Sequence, residues 1–398
     1  MSKEKLFYPA NILLPRADFE RFAVIACDQY TSEPEYWKAV EEYVGDSVSA
    51  FNVILPEVYL SDDDSDRIVD INNTMDRYLS DGALCEFKDC YIYVERTQPD
   101  GRVRRGLVGL IDLEDYDYSK TTTAMTRATE ATILERIPPR VKIRENALIE
   151  LPHIMLLIDD SENKLLGPIS ENSSKLNKLY DFELMMGGGH IKGWKVDESE
   201  VIDSAFSELK KNGDGLLFCV GDGNHSLATA KQCYINNPNE YNRYALVEVV
   251  NIHDKALDFE PIYRAVFGVD ANKIAADFIN WCGGEYYGSD AHKFTCFSGT
   301  ESIEISVKPK AWLNIADLQR FLDEYINKNP ELKIDYIHGE ASLRKIAERE
   351  NAVGFLFDGM GKSGLFEAVR RGGSLPRKTF SMGHADDKRF YLEARKIK

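Results

Sequence analysis

The sequence predicts a mixed α/β protein, with mixed sheets flanked by helices, on three observations. Short apolar runs of strand type alternate with stretches of helical period through the last third of the chain. Two apolar runs, Ala23 to Ala26 and Leu216 to Val220, break into polar loops and restart as helices. Cys90 to Glu95 and Val103 to Ile111, joined through Pro99-Asp100-Gly101, read as a β-hairpin. There is no internal repeat and no low-complexity linker; the expected division is a main lobe over 1–265 and a C-terminal α/β lobe over 266–398.

Composition narrows the function classes. The chain has 398 residues, 43% hydrophobic and 29% charged, enough to bury a core without disulfides. The net charge of -17 opposes binding to nucleic acid or to an anionic membrane. It also opposes a phosphate-bearing ligand, unless Arg, Lys or a divalent cation is supplied locally. The seven cysteines include no CxxC pair and are expected as buried free thiols rather than a zinc site. With no signal-like N-terminal run and no apolar stretch near the ~20 residues that span a bilayer, a cytoplasmic location is expected.

In chain order, the strand at Ala23 leads into Cys27-Asp28-Gln29-Tyr30-Thr31, and Ser32 with Glu35 predicts a capping box for a helix through Trp37, Val40 and Val44. Asn52 to Leu60 reads as extended. The acidic run Asp62 to Asp66 opens a helix with Ile68, Ile71, Met75 and Leu79 on its apolar face. Thr121 to Thr132 has six hydroxyls around Arg127 and Glu130 and no clean period, so it reads as a surface loop with a helix start at Thr132 or as a polar substrate wall. His153 to Ile158 is a buried strand, Gly187-Gly188-Gly189 a mobile loop, and Glu198 to Lys211 an amphipathic helix ended by Gly213. Tyr244 to Ile252 and Phe259 to Phe267 are strands. Helices at Ala271 to Trp281, at Ala316 to Asn327 and from Glu340 alternate with strands at Lys293, Ser302, Ile334 and Ala352.

The candidate site is Leu216 to Lys231. After the strand, Gly221-Asp222-Gly223-Asn224-His225 turns into a helix from about Ser226, with Asn224 and Ser226 as capping types. Amides at a helix start favour an anion, and Asp222 and His225 stand where a metal ion or a proton could be managed. The same pattern also makes ordinary strand-to-helix turns. Other motifs fare worse. Gly359 to Ser363 lacks the first glycine of a phosphate-binding loop, which would fall at Leu356. The basic loop Arg371 to Thr379 could bind phosphate through Arg377, Lys378 and Thr379, or be a plain surface loop. His153, His292 and His338 have no partner in sequence and read as structural.

Together these segments resemble a bacterial and archaeal family of unknown function, number 1015, over nearly the whole chain. The resemblance rests on Asp222-Gly223-Asn224-His225-Ser226, Glu130-Ala131-Thr132, Tyr263-Arg264 and Pro376-Arg377-Lys378-Thr379, with the loop Cys27 to Tyr30 similar in content. The turn is also similar to one in the ParB and sulfiredoxin-like superfamily, which includes free-serine kinases and would place such an element at residues 215–235. That resemblance implies a nucleotide-dependent phosphotransferase acting on a small hydroxyl metabolite, serine included. Asn224 and Ser226 stand where His and Arg are commoner, which removes a phosphate-binding Arg.

The implied site has Asp222 holding Mg²⁺, and Gly221, Gly223, Asn224 and Ser226 around the phosphates of ATP, ADP or GTP. His225 contacts phosphate, Glu130 or Asp28 acts as base, and Arg127, Arg264, Arg377, Lys378 and Thr379 meet the charge. A non-catalytic nucleotide- or metabolite-binding regulator is the second expectation, and ParB-like nucleic-acid binding conflicts with the net charge. A homo-oligomer is compatible with the sequence.

Overall fold

The computed structural model describes residues 5–61, 63–119, 121–132, 134–197, 199–348 and 352–398. Asp62 and Glu198, each expected to open a helix, lie outside them. The chain divides into two compact units, Met1–Leu257 with Gly383–Lys398, and Asp258–Met382. The division therefore falls a few residues before the expected one, and the last residues return to the first unit.

The first unit is built on a ten-stranded mixed sheet. Its strands are β1 (Ala10–Pro15), β2 (Leu84–Thr97), β3 (Val103–Asp112), β4 (Tyr116–Asp117), β5 (Thr126–Ala128), β6 (Met155–Ile158), β7 (Asn177–Glu183), β8 (His190–Val196), β9 (Phe218–Asp222) and β10 (Tyr244–Asn251). They run in the order β4-β5-β9-β6-β10-β3-β2-β8-β7, with β1 paired to β2. The expected hairpin is β2–β3, closing at Thr97 opposite Val103. The longer helices are α1 (Pro34–Val44), α2 (Ser65–Ser80), α3 (Ile137–Arg144), α4 (Ser199–Asn212) and α5 (Asn224–Asn236). Apolar clusters fill both sides of the sheet, one around Ile92, Val108 and Leu246, the other around Tyr93, Leu107 and Val247. Alternate residues of each strand thus serve opposite clusters, as the pleat requires.

Four local expectations are corrected. The capping box at Ser32 does not form: Glu33 caps α1 without a side-chain bond and Pro34 begins the helix, where its missing N–H is harmless. Asn52 to Leu60 is not extended, because Ser49 accepts from the Phe51 amide and starts a 3₁₀ turn, and a second follows at Glu57–Tyr59. The Thr-rich segment is a surface loop only over Thr121 to Ala124. It contains β5, with Thr126 and Thr129 buried, and Thr129 Oγ1 donates to the Val220 carbonyl at 2.6 Å. The triple glycine joins β7 to β8, a hairpin the sequence reading missed.

The second unit has a six-stranded sheet of β11 (Phe259–Phe267), β12 (His292–Ser298), β13 (Glu301–Val307), β14 (Lys333–His338), β15 (Ala352–Phe357) and β16 (Phe380–Met382). Helices α6 (Ala271–Cys282) and α7 (Asn314–Lys328) bury Ile274, Phe278, Leu318 and Phe321 together with Phe294 and Phe355 of the sheet. The strand and helix types expected here hold, with ends shifted by one or two residues.

Candidate functional site

The strand-to-helix turn sits at the end of β9. β9 runs parallel to β5 and antiparallel to β6, and its register with β6 shifts between Val220 and Asp222. That bulge places Gly221 as an extra residue and re-aims Asp222. Gly223, at φ +77°, caps α5, which starts at Asn224 rather than Ser226. A Cβ at Gly223 would lie 3.0 Å from the backbone of Ile154, so the turn requires glycine for space as well as for conformation.

Asp222 is fixed from two directions. Its Oδ1 accepts from the Gly223 amide at 2.9 Å, and its Oδ2 lies 3.3 Å from Lys388 Nζ. Lys388 belongs to the segment that returns to this unit and had no signal in the sequence. Arg96 and Arg104 hold that segment. Arg96 donates to the carbonyls of Gly188, Asp386 and Lys388, and Arg104 to that of Asp387 at 2.7 Å. Burial and the neighbouring Arg104 push the Arg96 pKa down to about 9, and the adjacent carboxylates oppose that shift.

The second half of the site gathers on His153, a residue the sequence reading set aside as structural. His153 is 6% exposed. Its Nδ1 is 2.7 Å from Tyr391 Oη, and its Nε2 is 3.3 Å from Ser226 Oγ and 3.8 Å from Asp28 Oδ2. Tyr391 Oη donates to Cys27 Sγ at 3.1 Å. In the neutral ring a proton on Nδ1 serves Tyr391 and leaves Nε2 an acceptor toward Ser226; in the protonated ring Nε2 carries a proton toward the Asp28 carboxylate. Burial raises the Asp28 carboxyl, but His153, the Gln29 amide at 2.9 Å and Lys388 together pull it below the usual range. Burial, foremost, and the charge of Asp28 push the Cys27 thiol up to about 12, which keeps it protonated and unreactive.

The remaining expected residues fall in two groups. In the first unit, Arg127 lies opposite Cys219 in the β5–β9 register and is buried, donating to the Ala124 carbonyl at 2.8 Å. Glu130 lies two residues past the end of β5, which pairs with β9 as far as Ala128 opposite Val220. His225 lies in the first turn of α5, where its carbonyl accepts from Thr229 Oγ1. Asn224 Oδ1 is buried without a hydrogen-bond partner among the described residues.

Arg264, Arg377, Lys378 and Thr379 lie instead in the second unit, the two arginines over Tyr336. Arg264 is fully buried, donates to Gln319 Oε1 at 2.7 Å and to the Arg377 carbonyl at 3.1 Å, and stacks on the Tyr336 ring. Arg377 also lies over that ring, Lys378 has φ +56°, and Thr379 Oγ1 bonds the Pro376 carbonyl.

The site can hold an anion against Lys388 and the α5 amides, and can accept a proton at His153 Nε2 or Asp28. Among the described residues no group of three or more His, Cys, Asp or Glu side chains could hold a metal ion. A divalent cation at Asp222 would therefore find at most two such protein ligands among the described residues, leaving the rest of its shell to ligand oxygens and water, a pattern Mg²⁺ tolerates. Among the described residues no helix is long and apolar enough to cross a membrane.

The family described as a protein of unknown function (DUF1015) matches residues 7–325. This chain belongs to the DUF1015 family. No curated protein matches it. Among solved structures, a free serine kinase variant in complex with ADP is 11% identical to this DUF1015 chain. It covers 74% of this chain and 93% of that one, with a TM-score of 0.42. A conserved hypothetical protein from Pyrococcus furiosus is 15% identical, covering 73% and 94% with a TM-score of 0.38. SbnI from Staphylococcus aureus, truncated at its C-terminus, is 9% identical, covering 69% and 82% with a TM-score of 0.39.

Proposed function

We propose that the first unit carries a phosphotransferase site that moves a phosphoryl group from a nucleotide to the hydroxyl of a small metabolite. The observation that supports this best is the meeting of Lys388 with Asp222 at the start of α5, beside a proton-accepting Asp28–His153 pair. Phosphoryl transfer asks for these two capacities: positive charge and amides on phosphate oxygens, and a base on the attacking hydroxyl. The acceptor O–H bond breaks, its proton passing to Asp28 or to His153 Nε2. The acceptor oxygen then bonds phosphorus as the bond to the leaving phosphate breaks, that phosphate keeping the electron pair. Lys388, the α5 amides and Ser226 Oγ take up the developing charge. A divalent cation bound by the nucleotide would add charge neutralisation, with Asp222 as its protein ligand. Glu130, two residues past the end of β5, is the second candidate base.

The test is direct. Full-length protein is mixed with ATP, ADP or GTP and a panel of hydroxyl acceptors beginning with free serine, and phosphorylated product is sought by mass spectrometry. Product with one donor, lost in Asp28→Asn while nucleotide binding persists, supports the proposal. Absence of both product and nucleotide binding refutes it. A second reading, a regulator that binds nucleotide without turnover, is favoured by one feature: Lys388 already neutralises Asp222, the carboxylate a catalytic metal would need. Nucleotide-dependent stabilisation without product would establish that reading.

A further inference from the structure

A partly open pocket of about 160 Å³ in the first unit has His153 in its wall. One side is the catalytic cluster itself, with Cys27, His153, Ser226 and Tyr391 in the wall. The rest is mostly aliphatic and includes Val53, Leu55, Ile143, Ile149, Leu151 and Ile154. The charged residues of the wall are already compensated: Arg140 pairs with Glu57, and Glu150 with both Arg144 and Arg395. Arg144 Nε, buried, has no acceptor among the described residues.

The pocket is partly open, and covering its aliphatic wall with apolar ligand surface is favourable. An apolar cavity of about 150 Å³ accommodates benzene. The same comparison gives this one room for about six carbon atoms. A free amino-acid zwitterion brings two charges into a wall whose charges are already matched, and desolvating them without new partners is unfavourable.

We propose that this cavity is the acceptor pocket, and that the acceptor carries its hydroxyl on a compact, uncharged, largely apolar body of about six heavy atoms. The inference rests on the phosphotransferase reading for the word acceptor, while the pocket itself rests on the geometry alone. In this arrangement the body fills the aliphatic end, and the hydroxyl reaches His153 Nε2 and Asp28.

The experiment uses the full chain with benzyl alcohol, free serine and ADP as probes, read by thermal melting and calorimetry. Two variants narrow the cavity, Ala147→Leu and Ile143→Phe, the second placed on the half-exposed face of α3 so that a folding defect in one leaves the other usable. Saturable stabilisation by benzyl alcohol, weakened at least tenfold in a folded variant with ADP binding unchanged, supports the pocket. No saturable effect of benzyl alcohol on the wild-type protein overturns it. Serine binding tighter than benzyl alcohol and indifferent to both variants also overturns it. Benzyl alcohol binding without any nucleotide binding supports the pocket and removes the phosphotransferase reading, so the two failures are distinguishable.

Discussion

Replacing Lys388 with methionine keeps the length and apolar stem of the side chain and removes only its charge. The ammonium lies 3.3 Å from Asp222 Oδ2, with the two side chains 16% and 20% exposed. At an effective dielectric constant of about 20 the bare attraction is about 5 kcal/mol, most of it offset by the desolvation of two partly buried ions. The folded state should therefore lose only about 1 kcal/mol, because Asp222 keeps its Gly223 amide and some access to water.

Ligand binding should suffer more. A charge-assisted hydrogen bond to a phosphate contributes about 1.5–3 kcal/mol, so Kd for ADP should rise roughly 10- to 150-fold. The uncompensated Asp222 carboxylate then repels the phosphate, which acts in the same direction. Calorimetric titration with ADP and with pyrophosphate measures both, and Lys388→Arg should recover part of the loss. An affinity for ADP within twofold of wild type in a folded Lys388→Met protein would sink the assignment of Lys388 to phosphate.

Four other outcomes are expected. The Asp28 carboxyl has its folded pKa below the usual 3.8, so its ionisation contributes stability that is fully present above that value and lost as pH falls through the lower folded value. Asp28→Asn should accordingly flatten the acid limb of stability against pH, measured by urea unfolding from pH 5 to pH 3; an unchanged limb would exclude this group. Gly223→Ala forces a left-handed residue against the Ile154 backbone and should cost about 1–3 kcal/mol in urea unfolding, with weaker ADP binding. Tyr391→Phe leaves His153 Nδ1 buried without its partner and should cost about 1–3 kcal/mol by the same measurement. Arg96→Met strips donors from three carbonyls, including that of Lys388, and should cost about 3 kcal/mol or more as well as ADP affinity; loss of stability with affinity intact would show that Arg96 does not position Lys388.

Segments whose side chains face one environment were the legible ones. β15 carries a continuous apolar run and matched its expected limits, as did β11 with its apolar end Ala265-Val266-Phe267, and the β2–β3 hairpin announced its turn. The Thr-rich segment misled because its hydroxyls, polar by type, are buried by bonding backbone, as Thr129 does with Val220. Periodicity cannot show such a bond.

For the site, the turn at Asp222 was visible because its residues are contiguous. His153 was not, since its partners Ser226 and Tyr391 lie 73 and 238 residues away. Lys388 and Tyr391 were hidden by topology: the chain builds the whole second unit between Leu257 and Gly383 before returning to complete the first. Arg264 looked like a spare cation from its neighbours in sequence, and only the fold shows its guanidinium against Gln319 and Tyr336.

The returning segment raises a question of register, because its strand contact is minimal. Phe390 and Tyr391 pair with Ile25 and Val24 over two residues only. So short a ladder resists slippage poorly, and a one-residue slip would point Tyr391 away from His153 and carry Lys388 off Asp222. Register is held instead by buried charge. Arg389, between those two residues, donates to Glu248 at 2.8 Å, to Glu393 at 2.6 Å and to the Pro152 carbonyl at 2.6 Å, beside the residue that carries the imidazole. Arg395 binds Glu150 further along. Buried ion pairs add little net stability compared with apolar packing, because desolvation offsets their attraction, but each tolerates only one partner geometry. Apolar side chains here could slide against β10 and still be buried. Arg389 cannot slide without leaving two carboxylates unmatched, and that penalty places Lys388 against Asp222 on one side of it and Tyr391 against His153 on the other.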